Sequence, residues 1–241
     1  TTPRNALVSS FVHGRLILPS TESLSLKPGA SKATLQLAVA ASDNDANDSD
    51  GRGTASATAR NAGRIIIIGD EILSGRTKDT NINWIATELN KIGVRLIEAR
   101  IIPDDSSTII KTVKSFSNKF TYVFSCGGIG PTHDDITTEC VAKAFNQELV
   151  KSDEAMRRLK FHYEGTNIEF NEARQKMAIV PTNSTLIDNP VSAAPGFRIE
   201  NLFVFAGVPK IMQGMFQTIL NDLTGGEKLF SKTVSSNCRV R

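Results

Sequence analysis

The stretch that most constrains the fold of this chain runs from an apolar segment at 121–124, through a loop with three glycines, to a helical spacing of apolar residues at 141–145. Strand, glycine turn and helix in this order form the connection at which α/β proteins bind phosphates. Glycines permit positive φ and let main-chain N–H groups approach an anion, and the helix start adds unpaired N–H groups. The pattern therefore predicts an anion site at Gly127, Gly128 and Gly130.

Two further strand–helix units precede this one. Residues 64–68 and 95–102 have the apolar, β-branched character of strands, and helical patterns follow them at 79–91 and 107–118. Three such units in series imply a parallel sheet with right-handed crossovers. The carboxyl ends of the three strands, each followed by a glycine or acidic turn, then meet at one edge of the sheet, where we expect the site.

The pattern changes beyond residue 152. We expect a helix beginning there, a short helix at 171–177, strands at 185–188 and 197–206 with a turn between them, and a helix at 210–220. The chain therefore divides into a leader, a folded domain and a loose end, at 1–63, 64–234 and 235–241 respectively.

The leader differs in composition from the rest of the chain. It is rich in Ser, Thr, Ala, Asn and Asp, and Phe11 is its only aromatic residue, so we expect it to be disordered. Its basic residues before position 42 face one acidic residue, Glu22, which is the composition of an organelle transit peptide. An unrelated extension fits equally well. We expect a cytoplasmic protein, or a mitochondrial or plastid protein if the leader is a transit peptide.

The overall composition excludes several classes of partner. A net charge of +3 with 22% charged residues is ordinary for a globular protein and gives no basis for nucleic-acid binding. No apolar run approaches the ~20 residues of a membrane span. The three cysteines are irregularly spaced, which favours free thiols in a reducing compartment. Cys126, beside the glycine loop, is expected to be a buried strand-end thiol because no partner base is evident.

The turns after the strands supply the acidic residues of the expected site. Asp134 and Asp135 either cap the helix that follows the loop or hold a divalent cation against a phosphate. His133 is a candidate general base or metal ligand, with a plain backbone hydrogen bond as the alternative. Five carboxylates of these turns are oxygen ligands suited to Mg²⁺, Mn²⁺ or Co²⁺, namely Asp70, Glu71, Asp104, Asp134 and Asp135.

Other polar residues are candidates for phosphate contacts. Ser74 and Thr137 could bond phosphate oxygens, although Thr137 could equally cap its own helix. Arg76 and Lys210 could pair with phosphate, although solvated surface is the commoner position of both residue types. Arg174 is expected in a structural ion pair.

The glycine loop resembles a family signature. The string Gly-Gly-Ile-Gly-Pro-Thr-His-Asp-Asp-Ile-Thr at 127–137 is similar to the loop of MoaB/Mog-like molybdopterin-binding domains. It is most similar to the version in competence/damage-inducible protein A and at the N-terminus of eukaryotic FAD synthases, in which Ile129 replaces the Thr of the molybdopterin branch. Further similar motifs lie at 69–76, 79–81, 103–105, 171–174, 177–178, 189–191, 194–197 and 207–209.

The resemblance implies a fold and a site. The fold would be a three-layer α/β sandwich with a mostly parallel sheet that binds molybdopterin or nucleotide-like pyrophosphates at its carboxyl edge. The positions of Asp104 and Asp135 would be catalytic, as in the molybdopterin-transfer branch. The competence and FAD-synthase branch implies metal-dependent hydrolysis and shares Asp70, Glu71 and the run 133–135. A homo-oligomer, either a dimer or a trimer, is expected with a small nucleotide or pterin as ligand.

Three functions remain open. The first is a metal-dependent pyrophosphohydrolase of ADP-ribose or FAD, favoured by Ile129 and the His133-Asp134 pair. The second is molybdopterin adenylylation or another step of molybdenum cofactor biosynthesis. The third is a module that binds a nucleotide or pterin without turnover. We expect a stand-alone domain, since neither an adenylyl-transfer nor an amidohydrolase domain follows it in this sequence.

Overall fold

A computed structural model of the chain describes residues 62–226 and the backbone of residues 32–37 and 232–237. Within these ranges the strands are β1 (Lys32–Leu37), β2 (Ala62–Ile68), β3 (Arg95–Ile102), β4 (Tyr122–Cys126), β5 (Leu149–Lys151), β6 (Ile179–Pro181), β7 (Thr185–Ile187), β8 (Gly196–Ile199), β9 (Leu202–Phe205) and β10 (Lys232–Asn237). The helices are α1 (Asp70–Leu73), α2 (Asn81–Lys91), α3 (Ser106–Ser117), α4 (Thr137–Ala144), α5 (Asp153–Tyr163), α6 (Glu172–Gln175) and α7 (Pro209–Ile219). Single 3₁₀ turns lie at Lys176–Ala178 and Leu220–Asp222.

Six strands form one sheet in the order β3-β2-β4-β9-β8-β7. β2 lies parallel to β3 and β4, and β4 lies parallel to β9, whereas β8 pairs antiparallel with both β7 and β9. The α/β class, the mostly parallel sheet and the three successive strand–helix units are confirmed.

The β-branched run of β2 explains the three layers. Because side chains alternate along a strand, Ile65 and Ile67 enter one hydrophobic core while Ile66 and Ile68 enter the other. The first core contains buried residues of α2 and α7, and the second contains buried residues of α3 and α4. Helices therefore cover both faces, and the sheet edge beyond the strand ends is left to the turns.

The expected single strand at 197–206 is wrong in one respect. The chain reverses within it, so that β8 and β9 form an antiparallel hairpin with Ile199 opposite Leu202. Glu200, in the reversal, has a φ of 50°. Arg198 Nε donates to the carbonyl of Glu200 at 2.9 Å and stabilises the turn. Only the two polar residues Glu200 and Asn201 separate the apolar parts of the segment, and so short an interruption was included in a single strand.

A second small sheet positions the segment after α5. β5 and β6 pair antiparallel, with Val150 opposite Val180. Ser152 begins α5 as expected, since its side chain accepts a hydrogen bond from Ala155 N. The pairing of β6 with β5 places the 3₁₀ turn that precedes β6 close to the start of α5, where Ser152 N donates to the carbonyl of Ala178 at 2.9 Å.

β1 and β10 form a separate two-stranded sheet. β1 pairs antiparallel with β10, with Lys32 opposite Asn237 and Leu37 opposite Lys232. β1 lies inside the range 1–63, for which we expected no regular structure. Its strand signal is the alternation of apolar residues in KATLQL. The other residues of that range up to 61, and 238–241 of the expected loose end, lie outside the described residues.

The expectations for the cysteines and for membrane spans concern thiol burial and helix length. Cys126 and Cys140 are buried free thiols, as expected, and Cys238 lies outside the described residues. None of the helices in the described ranges is both long enough and apolar enough to cross a bilayer.

Candidate functional site

A cavity of about 480 Å³ lies beyond the carboxyl ends of β2, β3, β4 and β9. Ile68 and Gly69 follow β2 into its wall, Asp104 follows β3, and Gly127 and Gly207 follow β4 and β9. The convergence of turns that the strand–helix order predicts is therefore present.

The glycine loop can form only without side chains at its first two positions. Gly127 has a φ of 110°, and a Cβ there would lie 2.1 Å from the carbonyl oxygen of Ile68. Gly128 has a φ of 68°, and its Cβ would lie 2.2 Å from Thr137 Oγ1. Both angles fall in the region that L side chains rarely adopt. The backbone of the loop thus packs directly against β2 and the start of α4.

Asp104 connects two of the turns. Its Oδ2 accepts a hydrogen bond from Asp70 N at 3.0 Å, which ties the start of α1 to the turn after β3. Burial raises the pKa of Asp104, and the charges of Asp70, Glu71 and Asp134 add to the effect against the opposing hydrogen bond from Asp70 N. Its ionised form is therefore less favoured than that of an ordinary aspartate, which is typical of functional carboxylates.

Asp105, the next residue, has a different role. Its Oδ2 accepts hydrogen bonds from Thr108 N at 2.8 Å, Thr108 Oγ1 at 2.7 Å and Ser107 Oγ at 2.8 Å, so it caps α3. These hydrogen bonds, with that from the Thr108 hydroxyl the largest, lower the pKa of Asp105. Neighbouring aspartates thus divide between a cavity wall and a helix cap.

Asp135 closes a turn within the glycine loop. Its Oδ2 accepts hydrogen bonds from Thr132 N at 2.9 Å and Thr132 Oγ1 at 2.5 Å. The cap residue of α4 is Ile136, and no side chain among the described residues caps this helix. The capping alternative for Asp134 and Asp135 is therefore wrong, because the chain turns before the helix begins and leaves both carboxylates upstream of it.

Part of the predicted set of site residues lines the cavity. Glu71, Asp104, Asp134 and Asp135 line it together with the three glycines of the loop. No Lys or Arg side chain of the described residues belongs to this wall. The cavity is thus acidic on one side, and it is apolar elsewhere through Ile68, Ile129, Met177, Val208 and Ile211.

The other predicted site residues lie outside this wall. His133 is fully exposed, with its Nδ1 4.0 Å from Asp134 Oδ1. Arg76 is exposed and donates from Nε to Ser74 Oγ at 3.0 Å. Thr137 is fully buried under Gly128, and its hydroxyl has no hydrogen-bond partner among the described residues. Lys210, at the start of α7, is exposed.

The expected metal ligands do not form a closed cage. Within the described residues, no group of three or more His, Cys, Asp or Glu side chains is placed to hold a metal ion. Asp70 meets Asp104 through its main-chain N–H, and Glu71 and Asp134 reach the cavity separately. A cation here would need ligands beyond the protein.

Cys126 lies directly before the loop, but its environment disfavours the thiolate that a nucleophile needs. It is fully buried at the end of β4, and burial, with a smaller contribution from Asp79, raises the pKa of its thiol. The interpretation of Cys126 as a structural thiol is supported.

The predicted turn after residue 188 is present, but sequence reasoning missed that one side chain holds it together. Asn189 Nδ2 donates to Ser192 Oγ and to the carbonyl of Ala194, both at 2.7 Å, and its Oδ1 accepts from Val191 N at 3.0 Å and Ser192 N at 3.1 Å. This turn brings Asn189, Ser192, Ala194 and Pro195 to the cavity wall. Its motif is visible in the sequence as an Asn-Pro turn, but the central role of the amide is not.

Asn81 and Lys176 were also missed as positioning contacts. Asn81 Nδ2 donates to the carbonyl of Gly207 at 2.8 Å, so the start of α2 holds the turn after β9. Asp79 caps that helix by accepting from Asn81 N and Ile82 N. Lys176, on the 3₁₀ turn before β6, donates from Nζ to the carbonyls of Thr132 at 3.1 Å and Asp135 at 2.9 Å.

Known proteins share this chain's sequence and fold. Residues 64–225 match a family described as a probable molybdopterin binding domain. A probable FAD synthase of Caenorhabditis elegans is 34% identical over 183 residues, which cover 68% of this chain and 35% of that protein. A putative competence-damage inducible protein of Clostridium botulinum is 33% identical over 176 residues, covering 71% and 42%. The chain thus spans less than half the length of these two relatives.

A solved structure gives the corresponding fold. The crystal structure of the protein CinA from Thermoplasma acidophilum, described as a protein with unknown function, matches with a TM-score of 0.63 at 31% identity. The match covers 69% of this chain and 99% of the other.

Proposed function

The chain belongs to the family of probable molybdopterin binding domains, and on that basis we propose that its cavity binds a dinucleotide such as ADP-ribose or FAD and hydrolyses the pyrophosphate. The similarity to a probable FAD synthase and to a putative competence-damage inducible protein supports this branch of the family. A fold alone says little about chemistry, so the support for hydrolysis comes from the residues that line the cavity.

The observation that carries the proposal is the charge of the cavity wall. Four carboxylates of Glu71, Asp104, Asp134 and Asp135 share the wall with the glycine loop, and no Lys or Arg side chain of the described residues lies among them. A pyrophosphate would be repelled by these carboxylates unless a cation accompanied it. An acidic wall beside an anion-binding loop therefore suits a ligand that is a metal–pyrophosphate complex.

The acidic side chains fit a cation of this kind. Mg²⁺ is commonly held by one or two carboxylates, with substrate phosphates and water as its remaining ligands, so the lack of a three-residue cage is compatible with it. Glu71 and Asp134 are the residues that would hold Mg²⁺, Mn²⁺ or Co²⁺. Such a cation would supply charge neutralisation at the pyrophosphate.

The chain's own groups carry the remaining steps. The main-chain N–H groups of the loop orient the phosphates. Asp104, whose pKa is raised by burial, accepts the proton of the attacking water. The oxygen of that water forms a bond to one phosphorus, the bridging P–O bond breaks, and two monophosphates leave. Asp135 holds the loop through Thr132 while its carboxylate remains part of the wall.

The family description also names molybdopterin, which supports a second candidate ligand. The apolar part of the wall, with Ile129, Met177 and Ile211, suits a planar ring of either a flavin, an adenine or a pterin. In this alternative the same loop would bind the phosphate of molybdopterin in a step of molybdenum cofactor biosynthesis.

One panel of assays tests both candidates. The purified full chain is incubated with ADP-ribose, FAD or adenylylated molybdopterin, each with Mg²⁺, Mn²⁺ or Co²⁺ and each with EDTA, and AMP release is measured by chromatography. We expect AMP from ADP-ribose or FAD only with a metal. AMP release unaffected by EDTA would contradict the metal-dependent chemistry. Tight binding of these ligands without any turnover would leave a binding module in place of an enzyme.

A further inference from the structure

The glycine loop is held from behind by a lysine on another element. Lys176 Nζ donates to the carbonyls of Thr132 and Asp135, at 3.1 and 2.9 Å. These are the same two residues that the Asp135 carboxylate ties together through Thr132 N and Oγ1. The loop is thus cross-linked within itself by Asp135 and to the 3₁₀ turn by Lys176.

The position of Lys176 separates it from any ligand in the main cavity. A second, smaller cavity of about 50 Å³ is lined by Lys176 and Glu139. Ile129, Gly130 and Asp135 line both cavities, so the loop is the partition between them. Lys176 contacts the rear of this partition, and it is absent from the wall of the main cavity.

The contact of Lys176 with the loop affects both the groups that the loop turns toward a ligand and the position of the loop. Carbonyl oxygens repel an anion, and an ammonium group behind the loop holds two of them by charge-assisted hydrogen bonds. Met177, the residue after Lys176, lines the main cavity. The contact of Lys176 with the loop therefore also sets the distance between the loop and the apolar wall at Met177.

We propose that Lys176 is a positioning residue that holds the glycine loop in the conformation that binds phosphate. It acts on the ligand only through the loop. Its effect on ligand affinity rests on the proposed function, whereas its effect on the loop does not.

The chain provides a matched control for this residue. Lys151 Nζ donates to Gln175 Oε1 at 3.0 Å, one residue before Lys176, and is exposed. Lys151→Met removes the same charge from the same neighbourhood without touching the loop. Lys176→Arg keeps a positive charge and several N–H donors, so it should restore much of what Lys176→Met loses.

Two measurements on the full chain test the proposal. Hydrogen exchange of the amides at 130 and 132–136, without ligand, should be at least ~10-fold faster in Lys176→Met than in the parent and unchanged in Lys151→Met. The dissociation constant for inorganic pyrophosphate with Mg²⁺, by calorimetry, should rise at least ~10-fold in Lys176→Met, less than ~2-fold in Lys151→Met, and be largely restored in Lys176→Arg.

The outcomes separate the two proposals. Unchanged exchange at 130 and 132–136 in Lys176→Met would overturn the role of Lys176, whatever the parent binds. Faster exchange with unchanged pyrophosphate affinity would also overturn it, since the contact would then be only structural. A parent that binds no pyrophosphate would refute the proposed function, while the exchange data would still decide whether Lys176 holds the loop.

Discussion

The start of the glycine loop, at Gly127 and Gly128, and the turn at 189–195 line the same cavity but are constrained by opposite features. The loop depends on what its residues lack, because a Cβ at Gly127 would meet the backbone of β2. The turn depends on one side chain, since the amide of Asn189 makes four hydrogen bonds to its neighbours. A side-chain atom added at Gly127 should therefore disrupt the loop, whereas removal of the Asn189 amide should disrupt the turn.

The largest effect is expected at Gly127. Gly127→Ala places a methyl group 2.1 Å from a backbone oxygen of β2 and should destabilise the fold by ~3 kcal/mol or more. Gly75→Ala is the control, because Gly75 also has a positive φ, of 73°, but open space around it. It should cost only ~1 kcal/mol. Equal midpoints of urea unfolding for the two variants would break the steric account of the loop.

The next effect separates the two consecutive aspartates. Asp104→Asn should lower turnover of the dinucleotide by ~10²-fold, which is ~2.7 kcal/mol in barrier height. Because burial raises the pKa of Asp104, its ionised form opposes folding above its unfolded pKa, so Asp104→Asn should not lower the melting temperature at pH 7. Asp105→Asn should leave turnover within ~2-fold, since Asn caps helices about as well as Asp. Equal turnover by Asp104→Asn and Asp105→Asn would show that Asp104 does not act in the reaction.

A smaller effect is expected in the turn. Asn189→Ala removes the partners of Val191 N and Ser192 N and should lower the free energy of unfolding by ~2 kcal/mol. Ser192→Ala, which loses only the hydroxyl that accepts from Asn189 Nδ2, should cost about half as much. Calorimetric melting of the two variants measures the difference. If Asn189→Ala melts with the parent, the turn is held by something other than its amide.

The smallest effect concerns the pH dependence of the cap on α3. Hydrogen bonds lower the pKa of Asp105 in the folded state, so its contribution to stability is present above the unfolded pKa of ~3.9 and is lost as the pH falls through the lower folded value. The stability difference between the parent and Asp105→Ala should thus be constant above about pH 5 and shrink below about pH 4. Urea unfolding from pH 3 to 7 provides the measurement, and a difference that stays constant to pH 3 would refute the cap.

Most of the parallel half of the sheet was predictable because its signals are local. The β-branched run of β2, the three strand–helix units and the glycine spacing specify strands, crossovers and a turn edge without reference to distant residues. The hairpin of β8 and β9 was missed, because its reversal takes only two residues, Glu200 and Asn201, and Glu200 there adopts a positive φ that is uncommon for its residue type.

The sequence by itself determined where the candidate site lies, since right-handed crossovers bring the ends of β2, β3 and β4 to one edge. It also determined which glycines and carboxylates are available there. Only the tertiary structure decided that Asp104 faces the cavity while Asp105 caps a helix, and that His133, Arg76 and Thr137 lie outside the wall.

The tertiary structure likewise decided which residues hold the turns in place. Lys176 reaches loop carbonyls 44 and 41 positions away, and Asn81 reaches Gly207 across 126 positions. Contacts over such separations depend on how the layers pack, and no local pattern of charge or hydropathy encodes them. The turns therefore supply the glycines and carboxylates of the candidate site, while the contacts that position them come from distant parts of the fold.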